Sequence, residues 1–225
     1  MKSYSNIREI IAFLRELSDN NDRRWFADNK ERYDALRQPW EKDMERLIAE
    51  VGEYDDNTRG LDVKQSVYRI YRDVRFSADK SPYKRYFSGV IGRGGRHTRI
   101  SGNYVHFEPD NIMMGGGVWW PEKPVLDRLR ALIDAERDEW LTIVNNPDFA
   151  SRYHWECDTL KKMPADYRHI APDDPVAPYI RMKEYIAMMR PPMDYFDCDD
   201  WVERVAGDLR HLMPMHNFLN YVFDL

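Results

Sequence analysis

The feature that most constrains the fold is a change of period in the middle of the chain. Val67-Tyr68-Arg69-Ile70-Tyr71, Tyr86-Phe87-Ser88-Gly89-Val90-Ile91, Asn103-Tyr104-Val105-His106-Phe107-Glu108 and the run from Ile112 to Trp119 are short and rich in β-branched and aromatic residues. Turn formers separate them: Gly92-Arg93-Gly94-Gly95-Arg96 reads as a hairpin loop and Pro109-Asp110-Asn111 as a turn. Consecutive strands joined by short loops make an antiparallel meander, because parallel neighbours need a long crossover.

On both sides of this block the apolar residues follow a helical period. Ile7, Ile10, Ile11, Leu14 and Leu17 lie three and four apart, with Asn6 as the cap. A second helix opens near Asp22 and carries Trp25, Phe26 and Tyr33; Pro39 either kinks it or opens a third helix through Met44, Leu47, Ile48 and Val51, stopped by Gly52. Beyond the strands, Pro121 to Asn145 is predicted helical, with Pro124 in the first turn and Val125, Leu129, Leu132, Ile133, Trp140 and Val144 as the apolar stripe. Pro147 to Pro178 holds five prolines but also Tyr153, Trp155 and Tyr167, which predicts an ordered connection packed on the surface. Tyr185 to Arg190 reads as a further strand ended by Pro191-Pro192. Asp199 or Asp200 then caps a last helix through Val202, Val205, Leu209 and Leu212, interrupted at Pro214. The expected fold is α+β: a mainly antiparallel central sheet flanked by N-terminal and C-terminal helices. At 225 residues one domain is expected over 1–225, helical in 1–55, strand-rich in 62–120, helical and irregular in 121–225.

Lys2, Arg8 and Glu9 interrupt the amino terminus, so it lacks the apolar core of a secretion signal, and no apolar run reaches membrane-helix length. Cys157 and Cys198 have none of the spacing of metal knuckles or redox pairs and read as reduced thiols in a cytoplasmic protein. The net charge of −5 argues against nucleic acid as a partner, yet it is unevenly spread. Lys64 to Arg99 holds ten Lys or Arg against two acids, a balance of +8 that leaves −13 for the remainder. A basic patch on an acidic chain suits a small anionic ligand better than a polyanion. Pairing of those charges with the acidic remainder is the alternative.

The densest stretch is Arg69-Ile-Tyr-Arg-Asp-Val-Arg-Phe-Ser-Ala-Asp-Lys-Ser-Pro-Tyr-Lys84. Together with Asn20-Asn21, Trp25-Phe26, Tyr33, Gly115-Gly-Gly117, Pro121 or Pro124, Leu129-Arg130 and Ile133, it resembles the bacterial proteins grouped as domain-of-unknown-function family 2461. The likeness spans nearly the whole chain and implies a fold but no activity, cofactor or substrate.

Two readings of the stretch stand side by side. In one, Arg69, Arg72, Arg75, Lys80 and Lys84 grip a phosphate or carboxylate, with Ser77 and Ser81 as hydroxyl donors and Tyr83 as an aromatic wall. In the other, the same residues form an internal ion network that pins a loop to the sheet. If strand alternation persists, Ile70, Arg72, Val74 and Phe76 share one face, and Arg72 is predicted to be mostly buried in bidentate contact with Asp73, Asp79, Glu108 or a bound anion. A hydrolase-type alternative uses Asp73, Asp79, His106 and Glu108 as acid–base or metal-binding groups. His106-x-Glu108 on one strand face gives that reading its only spacing signal, a weak one, and a structural histidine–carboxylate bond is the simpler explanation of it. No metal set is legible, and the residues name no cofactor. Gly115-Gly116-Gly117 lacks the pattern of a phosphate loop and predicts a bulge or close packing. Trp119-Trp120 is expected to cap the core, with stacking on a base or sugar as the alternative.

Overall fold

The structure, a computed structural model, describes residues 3–223; Lys2 lies outside them. Asn6 accepts from the amides of Arg8 and Glu9 and starts α1 (Ile7–Asp19), as its sequence position predicts. Asp22 caps α2 (Arg23–Asp28), which is followed by the long α3 (Lys30–Gly52). Pro39 sits inside α3 and neither ends nor opens it. A capping box of Asp62 and Gln65 then forms the short α4 (Val63–Ser66).

The meander is present as β1 (Phe87–Ile91), β2 (Gly102–Glu108) and β3 (Asn111–Val118). The predicted helix at 121–145 is two helices, α5 (Lys123–Ala135) and α6 (Arg137–Val144), parted at Glu136 where the backbone leaves helical angles. The proline-rich connection is ordered, and it hides elements that the sequence does not announce. These are α7 (Pro147–Ala150), the two-residue strand β4 (His154–Trp155) and α8 (Ala177–Ile180). The predicted strand near 185 is β5 (Tyr185–Met189), and α9 (Trp201–Arg210) and α10 (Met213–Asn220) close the chain, with Pro214 in the first turn of α10. The sheet has five strands in the order β1-β2-β3-β5-β4, every pair antiparallel. The fold is α+β as expected.

Strand parity sorts the sheet into two faces. Phe87, Ile91, Val105, Phe107, Met114, Val118, Tyr185 and Ala187 belong to the core shared with the helices. Trp40 of α3 meets Phe87 at 5.2 Å between ring centroids, and Trp201 of α9 meets Phe107 at 5.9 Å. The glycine run serves close packing: a Cβ on Gly117, whose φ is 145°, would lie 1.8 Å from the Tyr185 carbonyl oxygen of β5. The other parity carries Tyr86, Ser88 and Val90 on the first strand line, with Tyr104, His106 and Glu108 beside them.

One expectation fails at the point that matters most. Residues 67–71 are extended but form no strand of the sheet; they touch it through isolated bridges, Val67 to Gly89 and Tyr71 to Tyr83. The Arg72 amide bonds to the Pro82 carbonyl and the Lys84 amide to the Ile70 carbonyl, so the chain folds back on itself instead of running on beside β1. Alternation therefore stops. Ile70 is buried, whereas Phe76, predicted on the same face, is 96% exposed.

Candidate functional site

The loop between these extended legs satisfies most of its own charges. Arg72 donates to Asp79 Oδ2 at 2.5 Å, to the Ser81 carbonyl at 3.1 Å and to Ser77 Oγ at 3.3 Å. It is half-buried and shares its donors among three acceptors, so the predicted bidentate grip on one carboxylate is not made, although Asp79 was among the partners expected. Asp79 Oδ1 also accepts from the amide and hydroxyl of Ser81. Those two bonds, then the one from Arg72, hold its carboxyl well below the usual carboxylate range. Arg75 folds onto Asp73 at 2.6 Å, and its hydrogen bonds lower the Asp73 carboxyl to about 2. Lys80 donates to the Val74 carbonyl at 3.0 Å, and Arg85 reaches Asp79 at 3.4 Å. Tyr83 is no open aromatic wall. It is buried, stacked on Phe26 of α2 at 4.0 Å, and its backbone exchanges two hydrogen bonds with the Asn21 side chain.

Lys84 is the exception. It sits half-buried where the loop rejoins the sheet, its ammonium 4.7 Å from the Tyr68 ring centroid and 5.7 Å from that of Tyr86. Among the described residues it has no carboxylate partner. Burial, then the fields of Arg69, Arg96 and Arg37, lower its pKa from 10.5 to about 8. Arg69 is exposed and makes no ion pair within the described residues; Arg96 spends its donors on the Lys64 and Gln65 carbonyls, 5.8 Å from the Tyr68 ring. A cleft of about 400 Å³ opens here, lined by Arg72, Asp79, Lys84, Arg85, Tyr86 and Glu108 among others.

Next to the cleft, His106 is fixed from both sides. The Tyr104 hydroxyl lies 2.8 Å from Nδ1, and Nε2 lies 3.2 Å from Glu108 Oε2. A carboxylate accepts, so Nε2 carries the hydrogen, and Nδ1 is left to accept from the tyrosine. Burial lowers the His106 pKa and Glu108 opposes the change. Asn111 also donates to Glu108. Both ring nitrogens are thus used within the sheet. Trp119 packs against Tyr104, but Trp120 is 82% exposed at φ 41° and caps no core, against the sequence expectation.

The sequence reading named Lys84 and Arg69 as candidates but not Tyr68, Tyr86 and Arg96, which the structure places beside Lys84. Their signal is parity: once β1 and β2 are registered with Ser88 opposite His106, Tyr86 falls on the face of Tyr104 and Glu108. The Tyr68 amide bonds to the Ser88 carbonyl and so extends the same corner.

Fold and cleft together define an α+β protein with an antiparallel sheet whose helices pack on one face and which borders a cleft lined by Arg72, Lys84 and Arg85, the carboxylates of Asp73, Asp79 and Glu108, and two tyrosines. The chain belongs to the family of the conserved hypothetical protein DUF2461, whose model matches residues 9–218. No curated protein and no solved structure matches it. No helix of the described residues is long and apolar enough to cross a membrane.

Proposed function

We propose that this chain binds a small anionic ligand, a phosphate or carboxylate compound, at Lys84. The observation that carries the reading is an ammonium group half-buried between Tyr68 and Tyr86 without a carboxylate among the described residues. A desolvated cation beside further cations is costly when empty, and an arriving anion removes that cost. Arg69 and Arg96 add to the local field, and Arg72 lines the same cleft. The site is shifted from the Ser77–Lys80 corner, where Asp73, Asp79 and a backbone carbonyl already occupy the cations. That corner acts as a structural clasp that holds residues 72–82 and shapes one wall of the cleft. A hydrolytic role for Asp73, Asp79, His106 and Glu108 has less support, because each is engaged by a neighbour in the same chain. A continuous core and the two free cysteines suit one domain working in a reducing, cytoplasmic setting.

Thermal melts in low salt with inorganic phosphate, pyrophosphate and ribose 5-phosphate test the proposal, since a ligand that binds only the folded state stabilises it. At least one compound should raise the melting temperature of the parent chain, and Lys84→Met should remove the rise. A rise that survives Lys84→Met, or no rise with any compound, refutes the reading.

A further inference from the structure

A lysine acts as a nucleophile only as the free amine, so a site built for that chemistry must disfavour the charged form while leaving the nitrogen open to a reactant. Lys84 meets both demands. Its side chain is half-buried, with Nζ 4.7 Å from the Tyr68 ring centroid and 5.7 Å from that of Tyr86, so aromatic carbon replaces water on two sides. Among the described residues no carboxylate pairs with it, and Arg69, Arg96 and Arg37 press on it with like charge. Lys84 and Tyr86 both line the cleft of about 400 Å³, a volume at the lower end of the range for small-molecule sites. The acids of that cleft are engaged elsewhere: Asp79 by Arg72 and Arg85, Asp73 by Arg75, and Glu108 by His106 and Asn111.

The setting differs from that of other lysines in the chain. Lys80 donates to the Val74 carbonyl on an exposed loop, and Lys123 pairs with Asp127 at the surface. With the Lys84 pKa at about 8, roughly a tenth of the chains hold a neutral amine there at pH 7, against about one lysine in three thousand at the ordinary 10.5. We infer that Lys84 is the nucleophile of an imine-forming site whose reactant is a 2-oxo acid. This inference rests on the anion reading above and names the ligand class for the same site. In a 2-oxo acid the carboxylate is bonded directly to the carbonyl carbon, so an anion drawn to Nζ carries the electrophile with it. A phosphorylated aldehyde holds its charge farther from the carbonyl and offers the nitrogen one or the other. In the reaction the Nζ lone pair forms a bond to the carbonyl carbon as the C=O π pair moves onto oxygen. The two protons of the amine then leave with that oxygen as water, and a C=N bond remains; nothing is oxidised or reduced.

Reductive trapping on the parent chain tests this without a variant. The protein is incubated at pH 7 in low salt with pyruvate and cyanoborohydride, which supplies hydride to any C=N bond and fixes it as a carboxyethyl group on nitrogen. Peptide mass spectrometry then reads the rate at each lysine. Lys84 should be modified about tenfold or more faster than Lys80 or Lys123, the internal references, in line with its larger neutral fraction. Pyruvamide, of the same size but uncharged, should lower that preference by about threefold or more, because it lacks the acid group that seats the carbonyl. A Lys84 modified no faster than Lys80 by pyruvate overturns the imine inference. Thermal melts with inorganic phosphate on the same preparation then separate the two readings: a persisting rise leaves the anion site standing, and no rise removes both. Equal preference for Lys84 with pyruvamide and pyruvate overturns the assignment to a 2-oxo acid.

Discussion

Replacing Lys84 with methionine should make the ligand-free protein more stable, an outcome opposite to that of most lysine substitutions near a sheet. Methionine keeps the length and apolar stem of the side chain between Tyr68 and Tyr86 and removes only the charge. The ammonium carries a pKa of about 8 in the folded chain against 10.5 ordinarily, with burial as the first cause. A tenfold change in proton affinity is worth about 1.4 kcal/mol, so the full difference would approach about 3 kcal/mol. Partial exposure of the side chain and attraction to the two rings reduce this to about 1–2 kcal/mol. The direction with pH follows from which state holds the proton. Below about 8 both states are charged and the folded chain bears the whole penalty. Between about 8 and 10.5 the unfolded lysine keeps a proton that the folded one has lost, so the parent chain gains stability as pH rises through that window. Urea unfolding of parent and variant at pH 7 and pH 10 reads both effects. The advantage of Lys84→Met should be about 1–2 kcal/mol at pH 7 and shrink to a small part of that at pH 10. Lys80→Met, which removes an ammonium bonded to a carbonyl on an exposed loop, should show no such gain. A variant less stable than the parent at pH 7, or a gain indifferent to pH, would refute the idea of an uncompensated cation.

Three further outcomes follow from the same structure. Gly117→Ala puts a methyl group 1.8 Å from the Tyr185 carbonyl at a φ of 145°, and urea unfolding should show a loss of about 3 kcal/mol or more; a loss below about 1 kcal/mol would contradict the close β3–β5 approach. His216 is buried against Ser101 Oγ at 2.6 Å and Asn103 Oδ1 at 3.0 Å, and burial lowers its pKa to about 3. The unfolded imidazole accepts a proton that the folded one refuses, so stability should fall as pH drops from about 6.5 toward 3; His216→Gln should flatten that decline by one proton, and an unchanged slope would count against it. The double change Arg75→Ala with Lys80→Ala should leave any phosphate-induced rise in melting temperature intact, because both cations are already occupied by Asp73 and the Val74 carbonyl; loss of the rise would return the site to that corner.

The fold class was legible because the change from helical to strand period is a property of local sequence, and β1, β2, β3 and β5 obey it. What failed depends on partners distant in the chain. Residues 67–76 alternate like a strand, yet after Tyr68 meets Ser88 the Ile70 carbonyl bonds to Lys84 and the Arg72 amide to Pro82, so the pattern had no sheet to act on beyond Tyr71. The two residues of β4 hold no period at all and pair only because β5 offers an edge. Of the proposed site, the charge excess of 64–99 pointed to the stretch that borders the cleft, and Asp73 and Asp79 within the motif foreshadowed an internal network. Which cation stays unpaired is set by loop geometry: the turn brings Asp79 to Arg72, Ser81 and Arg85 and leaves Lys84 facing two tyrosines. Asn21, prominent in the sequence but given no role there, closes the same turn by pairing with the Tyr83 backbone.

The location of a bound anion tests the central claim most directly. A crystal structure of the chain grown at low salt with inorganic phosphate should show the ion within hydrogen-bonding reach of Lys84 Nζ, in the cleft between Tyr86 and Arg72, with the Arg75–Asp73 and Arg72–Asp79 pairs unbroken. A phosphate seated instead among Ser77, Lys80 and Ser81 with those pairs opened, or a Lys84 found paired to a carboxylate of the chain, would contradict the account.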